Sequence, residues 1–276
     1  MSTATSADGT SIAYDQSGTG PAGTHPAGTH PAVSHPAVIL IGGAFNDRST
    51  TAALAAVLEP AATVYNFDRR GRGASGDTAP YAVQREIEDL AALISAAGGP
   101  AALFGHSSGA VLALEAVMAG LPVSRVAVYE PAWIAGGSRP RPDAGLAGRV
   151  GDLISGGQRA EAVRVFLTEA VGVPAEVVGM MAGSPDWAGM EALAHTLPYD
   201  LAVCGPGQQV PAGRLARITV PALVLGGSET SGWLLATCRA VAAAIPGAEL
   251  AILPGEDHGV LQRPAVLGPV LTRFLS

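Results

Sequence analysis

Strand and helix patterns alternate along most of this 276-residue chain, which predicts an α/β fold. Connections of that kind are right-handed crossovers, so the central sheet is expected to be mostly parallel and flanked by helices. Short unbroken apolar runs such as Val38-Ile39-Leu40-Ile41 support this, because strands buried on both faces read as continuous hydrophobic stretches. A third observation is a break in the alternation. From 136 to 216 only helical patterns occur, which predicts a helical cap inserted into a core made of 1–135 and 217–276. Hydrophobic residues make up 48% and charged residues 14%, enough apolar surface for a large core and against disorder of the whole.

The elements follow in order. Asp8-Gly9 reads as a hairpin turn before a strand at 11–14. Pro21-Ala-Gly-Thr-His25 then repeats as Pro26-Ala-Gly-Thr-His30 and Pro31-Ala-Val-Ser-His35, a Pro/Gly-rich surface loop. A proline every five residues keeps His25, His30 and His35 off one helical face, and no Cys or carboxylate accompanies them, so no metal site is expected. Next come a strand at 38–41, a helix at 50–58 and a strand at 63–67. A helix at 81–96 carries a charged face at Arg85, Glu86, Glu88 and Asp89. Strands at 101–104, 125–129, 220–225 and 249–253 and helices at 110–118, 234–244 and 265–275 complete the core. Within the insertion, 143–155, 159–171, 175–182 and 187–197 read as helices. Ligands of open parallel sheets bind at the carboxyl ends of the strands, so the insertion is expected to roof a site there.

Composition excludes several functions. Net charge is −7, which lacks the basic footprint of a nucleic-acid binder. All 16 basic residues are Arg, so no lysine exists for a Schiff base or a P-loop. Cys204 and Cys238 are too few for a disulfide framework or a structural zinc site and read as spectators. No apolar stretch is long enough to span a membrane, and the first residues carry no leader pattern. A cytoplasmic protein without cofactor or metal, acting on a small molecule, is the expectation; its oligomeric state is left open.

One constellation carries chemistry. Gly105-His106-Ser107-Ser108-Gly109 sits between a strand and a helix, the setting a nucleophilic serine needs. Its base is expected at His258, in the loop after the last strand. His106 is adjacent to Ser107 and a poor choice, and His195 lies in the insertion. The acid that orients the base is either Glu130, ending an otherwise apolar strand before Pro131, or Glu229, after the next strand. Asp257 adjoins His258 and is a poor partner. An oxyanion hole would take backbone N–H groups from Ser108 and from the glycine loop at Ala44, with Phe45 second. Phe45, Trp133 and His195 are candidate substrate contacts, with Trp187 and Tyr199 beside them. Packing is the plainer role for those aromatics.

These residues resemble the α/β-hydrolase fold over nearly the whole chain. The matching motifs are Gly42-Gly43-Ala44-Phe45, Asp68-Arg-Arg-Gly-Arg-Gly-Ala-Ser75, Gly105-His-Ser-Ser-Gly109 and Asp257-His258-Gly259. Gly42 replaces the histidine the family often has there, and Thr230 stands where the usual acid would. A minority layout, seen in some haloalkane dehalogenases, takes the acid from the preceding strand, and Glu130 matches it. Ser107 replaces the aspartate nucleophile of dehalogenases and epoxide hydrolases, which argues against both reactions. The resemblance implies that the turn at 68–75 is structural. It also implies a serine hydrolase acting on an ester, thioester or lactone. A non-hydrolytic lyase, cyclase or eliminase and a ligand-binding receptor remain alternatives on the same scaffold.

Overall fold

A computed structural model of the chain describes residues 1–18 and 36–276. The histidines of the repeat, His25, His30 and His35, lie outside the described residues.

Two short strands, β1 (Ser2–Thr5) and β2 (Ser11–Ser17), form the hairpin around Asp8-Gly9. Then follow β3 (Ala37–Ile41), α1 (Arg48–Leu58), β4 (Thr63–Phe67), α2 (Val83–Ala96), β5 (Ala101–His106), α3 (Ser108–Met118) and β6 (Val123–Tyr129). Six helices come next: α4 (Leu146–Ser155), α5 (Arg159–Val165), α6 (Ala175–Met181), α7 (Trp187–Leu193), α8 (Leu197–Cys204) and α9 (Ala212–Leu215). The chain closes with β7 (Ala222–Gly227), α10 (Gly232–Ala244), β8 (Glu249–Leu253) and α11 (Pro264–Leu275). The strands make one sheet in the order β1-β2-β4-β3-β5-β6-β7-β8. β1 and β2 pair antiparallel, and every pairing from β4 through β8 is parallel.

Both faces of the sheet are covered, and the pleat sorts the apolar runs between them. Ile39, Ile41, Leu103, Val126 and Val128 face one way, into a cluster with α2 and α3. Val38, Leu40, Ala102, Phe104 and Ala127 face the other, against α1 and α11. Each such isoleucine or leucine contributes about 1.5–3 kcal/mol by leaving water. α1 starts two residues before the expected 50, because the Asp47 carboxylate caps it by accepting from Ser49 N at 2.8 Å.

The charged face expected on α2 is half wrong. Glu86 and Asp89 are buried, not solvated, because arginines of the preceding turn reach them. Arg69 grips Glu86 with two bonds of 2.7 Å, and Arg70 grips Asp89 at 2.7 and 2.8 Å. Paired, hydrogen-bonded charges are the kind that can be buried, and breaking one such pair costs about 3–5 kcal/mol. Asp68, Arg69, Arg70 and Arg72 thus tie the turn to its neighbours.

Between β6 and β7 the regular structure is helical apart from one parallel bridge, Ile134 to Gln209, and the first helix begins at Leu146. Two expected helices are interrupted there. The stretch 159–171 becomes α5 followed by a π-helical turn, Phe166–Val171. The stretch 187–197 ends early, and α8 begins in its place with Pro198 in its first turn. Pro198 reads as a breaker in sequence, but a first-turn proline gives up no intrahelical bond. The helices share a small core of their own, with Leu146, Val163, Phe166, Trp187 and Leu197. Val203, Cys204, Leu215 and Ile218 instead join the core of the sheet.

Candidate active site

Ser107 is the first residue beyond β5 and the cap of α3, with φ 58° and ψ −122°. A non-glycine residue held there is strained, and the strain persists because its surroundings leave no alternative. Ser107 N donates to the Tyr129 carbonyl at 3.0 Å. The following turn passes so near β3 that a Cβ at Gly109 would lie 2.3 Å from the Ile41 carbonyl. Only glycine fits, and the constraint lifts the Ser107 side chain clear of the sheet.

His258 occupies the loop after β8. Its carbonyl accepts from His106 Nε2 at 2.9 Å, and the Asp257 carbonyl accepts from Tyr129 Oη at 2.7 Å. Two side chains from the neighbouring strands therefore hold the loop's backbone. A Cβ at Gly227 would meet the Glu256 carbonyl at 2.1 Å, so the loop also rests directly on the end of β7. Burial, with the nearby His258 adding to it, lowers the His106 pKa to about 3. His106 is accordingly neutral at pH 7 and serves as a backbone clamp.

Glu130 is the first residue beyond β6, with φ 45°, and is completely buried. Its Oε1 accepts from Gly227 N at 2.9 Å. Its Oε2 accepts from Thr230 Oγ1 at 3.1 Å and lies 2.6 Å from His258 Nδ1. Thr230 is thus a donor to the carboxylate of the adjacent strand. Glu229 is exposed, and among the described residues its side chain meets only the Ser228 hydroxyl, at 3.1 Å. Asp257 pairs with Arg263, whose hydrogen bond holds the carboxyl below its ordinary range.

The loop after β3 comes close to the serine: a Cβ at Gly43 would stand 2.8 Å from Ser107 Cβ. Gly43 N donates to Asn46 Oδ1 at 3.0 Å. The N–H groups of Ala44, Phe45 and Ser108 find no acceptor among the described residues. Phe45, at φ 60°, packs edge-on against Phe166 with centroids 5.5 Å apart.

Ala44, Phe45, Ser107, Ser108 and His258 all line one cavity of about 420 Å³. Phe166, Leu167, Met181, Met190 and Trp233 supply much of its wall, so the π-helical turn faces the serine. Among the described residues no arginine lines it. Trp133 and His195, expected as substrate contacts, do not line it either. Trp133 is buried in the sheet's core, where its Nε1 donates to the Cys204 carbonyl at 3.1 Å. His195 packs against the turn, with Nε2 2.7 Å from the Gly71 carbonyl. A full-length aromatic or imidazole near an insertion packs where backbone acceptors await it.

Asp200, on α8, escaped the sequence reading. It is buried at the cavity's edge and accepts from Ser108 Oγ at 2.7 Å, from Arg69 at 2.8 Å and from Arg72 twice at 2.9 Å. Burial raises its pKa, but Arg72 and Arg69 outweigh that and leave it below the usual carboxylate range.

A strand-to-helix serine, a loop histidine paired to a buried glutamate and unpartnered N–H groups on one sheet edge define an α/β protein built around a serine elbow. The chain belongs to the alpha/beta hydrolase family, whose model matches residues 38–268. Among solved structures, an alpha/beta hydrolase from Sphaerobacter thermophilus DSM 20745 is 45% identical, with 100% of both chains covered and a TM-score of 0.89. A hydrolase from Pseudomonas aeruginosa PA01 is 22% identical over 100% of this chain and 98% of that one, with a TM-score of 0.74. The enol-lactonase from Burkholderia xenovorans LB400 is 20% identical over 99% of each, with a TM-score of 0.70. No curated protein matches the sequence.

Proposed function

We propose that the protein is a serine hydrolase that cleaves an ester, thioester or lactone of a small, uncharged, mostly apolar molecule. Ser107 Oγ attacks the carbonyl carbon while His258 Nε2 takes its proton. Glu130 keeps the other ring proton on Nδ1 and stabilises the imidazolium as it forms. The N–H groups of Ala44 and Ser108 receive the oxyanion. Collapse expels the alcohol or thiol, which takes the proton back from His258 and leaves an acyl-serine. Water, deprotonated by His258, then releases the acid and restores Ser107. The helices 136–216 act as a cap whose apolar side chains select the acyl group. Buried free thiols at Cys204 and Cys238 suit a cytoplasmic setting.

The observation that carries this reading is the 2.6 Å contact of His258 Nδ1 with a carboxylate buried beside the strained Ser107. A cavity wall without arginine supports an uncharged substrate, since a bound carboxylate would be buried without a cation. The test is a fluorophosphonate probe followed by peptide mapping. Single labelling at Ser107, abolished together with p-nitrophenyl acetate turnover in Ser107→Ala, is the expected result. Equal labelling of the variant would sink the proposal.

A further inference from the structure

We propose that Asp200 is a positioning residue for the oxyanion hole, acting through Arg72 on the peptide between Gly43 and Ala44. The inference rests on the serine-hydrolase reading above and adds a residue to it. Arg72 Nη1 donates to the Gly43 carbonyl and, at 3.3 Å, to the Asn46 carbonyl, while Nη2 is held by both oxygens of Asp200. Arg69 does the same one residue earlier, bonding the Gly42 carbonyl at 3.3 Å and Asp200 at 2.8 Å. In a trans peptide the C=O and N–H point in opposite directions. Pinning the Gly43 carbonyl to the arginine side therefore turns the Ala44 N–H the other way, toward Ser107. The same Asp200 oxygen accepts from Ser108 Oγ at 2.7 Å, on the residue whose N–H is the second proposed donor. One buried carboxylate thus sets both halves of the hole.

Charge explains why the anchor must be a carboxylate. Arg69 and Arg72 are two buried cations, and Glu86 and Asp200 are the two buried anions that face them. Of the two arginines, Glu86 bonds Arg69 and not Arg72, and it also accepts from Tyr81 Oη at 2.8 Å. Without Asp200, Arg72 keeps only backbone acceptors, and a buried cation so placed shifts toward water and releases the Gly43 carbonyl.

The decisive variant is Asp200→Asn, which keeps shape and removes the charge. A trifluoromethyl ketone reads the hole directly, because Ser107 adds to its carbonyl and leaves an oxyanion in that place. In Asp200→Asn we expect kcat to fall roughly 10–100-fold, at or below the low end of the about 10²–10³-fold cost of losing an oxyanion donor outright, because the donor is misaligned and not removed, with KM changed less than about threefold. The ketone's inhibition constant should rise by the same factor as kcat/KM falls. The apparent pKa of kcat/KM should stay in place, since His258 and Glu130 are untouched. A lowered melting temperature with kcat and ketone affinity unchanged would overturn the inference, and so would a loss confined to KM. If Asp200→Asn does not fold, Arg72→Lys decides by the same ratio, for one ammonium cannot span Asp200 and the Gly43 carbonyl together. Absence of wild-type fluorophosphonate labelling at Ser107 would instead overturn the hydrolase reading, and this one with it.

Discussion

Replacing Glu130 by Gln removes one charge from a carboxylate that no water reaches. Its three donors are Gly227 N, Thr230 Oγ1 and His258 Nδ1. The glutamine carbonyl can keep the Gly227 bond, and the Thr230 hydroxyl can rotate to accept from the new amide. His258 has no such freedom. An amide N–H facing Nδ1 favours the tautomer with its proton on Nε2, the atom that takes the proton from Ser107 in the proposed mechanism. The imidazolium also loses its counter-charge. The comparable change in serine proteases costs about 10⁴-fold. We expect Glu130→Gln to lose at least about 10²-fold in kcat/KM on p-nitrophenyl acetate, roughly 2.7 kcal/mol of transition-state stabilisation. Glu229→Gln, at an exposed site with one neighbouring hydroxyl, should lose less than about 10-fold. Melting temperatures should stay close, because size is kept and each of the three contacts keeps a hydrogen-bonding partner. A larger loss in Glu229→Gln than in Glu130→Gln would refute the reasoning.

Two further outcomes follow from neighbours of the proposed base. His106 has a folded pKa of about 3 against 6.5 unfolded, so below pH 6.5 the unfolded chain takes up a proton that the folded chain refuses. Stability is therefore lost as pH falls from about 6.5 toward 3, by about 2 kcal/mol between pH 7 and pH 5 from this group alone. His106→Gln keeps a donor for the His258 carbonyl and should flatten that dependence in urea titrations at the two pH values; an unchanged slope would show that His106 titrates normally. Gly227→Ala places a methyl 2.1 Å from the Glu256 carbonyl, which must displace the loop bearing His258. We expect at least about a tenfold loss of kcat/KM with little change in KM, and wild-type kinetics would contradict the packing described.

The sheet was legible because its central strands are buried on both faces and therefore spelled in unbroken apolar runs. Ser107 was legible from glycines that a tight strand-to-helix turn demands. Glu130 stood out as a charge ending an apolar strand, and Glu229 competed only because sequence does not show exposure. What escaped was long-range pairing. The arginines of the turn after β4 bury Glu86 and Asp89, so a face that spells as solvated lies inside. Asp200 escaped for the same reason, and because Pro198 hid the helix that carries it. Trp133 and His195 looked like pocket residues by their place in the chain, while their packing was set by the Cys204 and Gly71 carbonyls, which no local pattern announces.

Glu130 directly follows the strand beside the one that bears Ser107, so a single strand-helix-strand unit holds both. His258 is 128 residues further from Glu130 and hangs from β8, at the outer edge of the sheet. Closing a chain loop of that length is an entropic cost met before the contact rewards it. During refolding, then, the elbow and its glutamate can assemble from local contacts, whereas the histidine arrives only when the last strand docks. Recovery of turnover would lag recovery of secondary structure, making enzymatic activity a clock for the final step of folding.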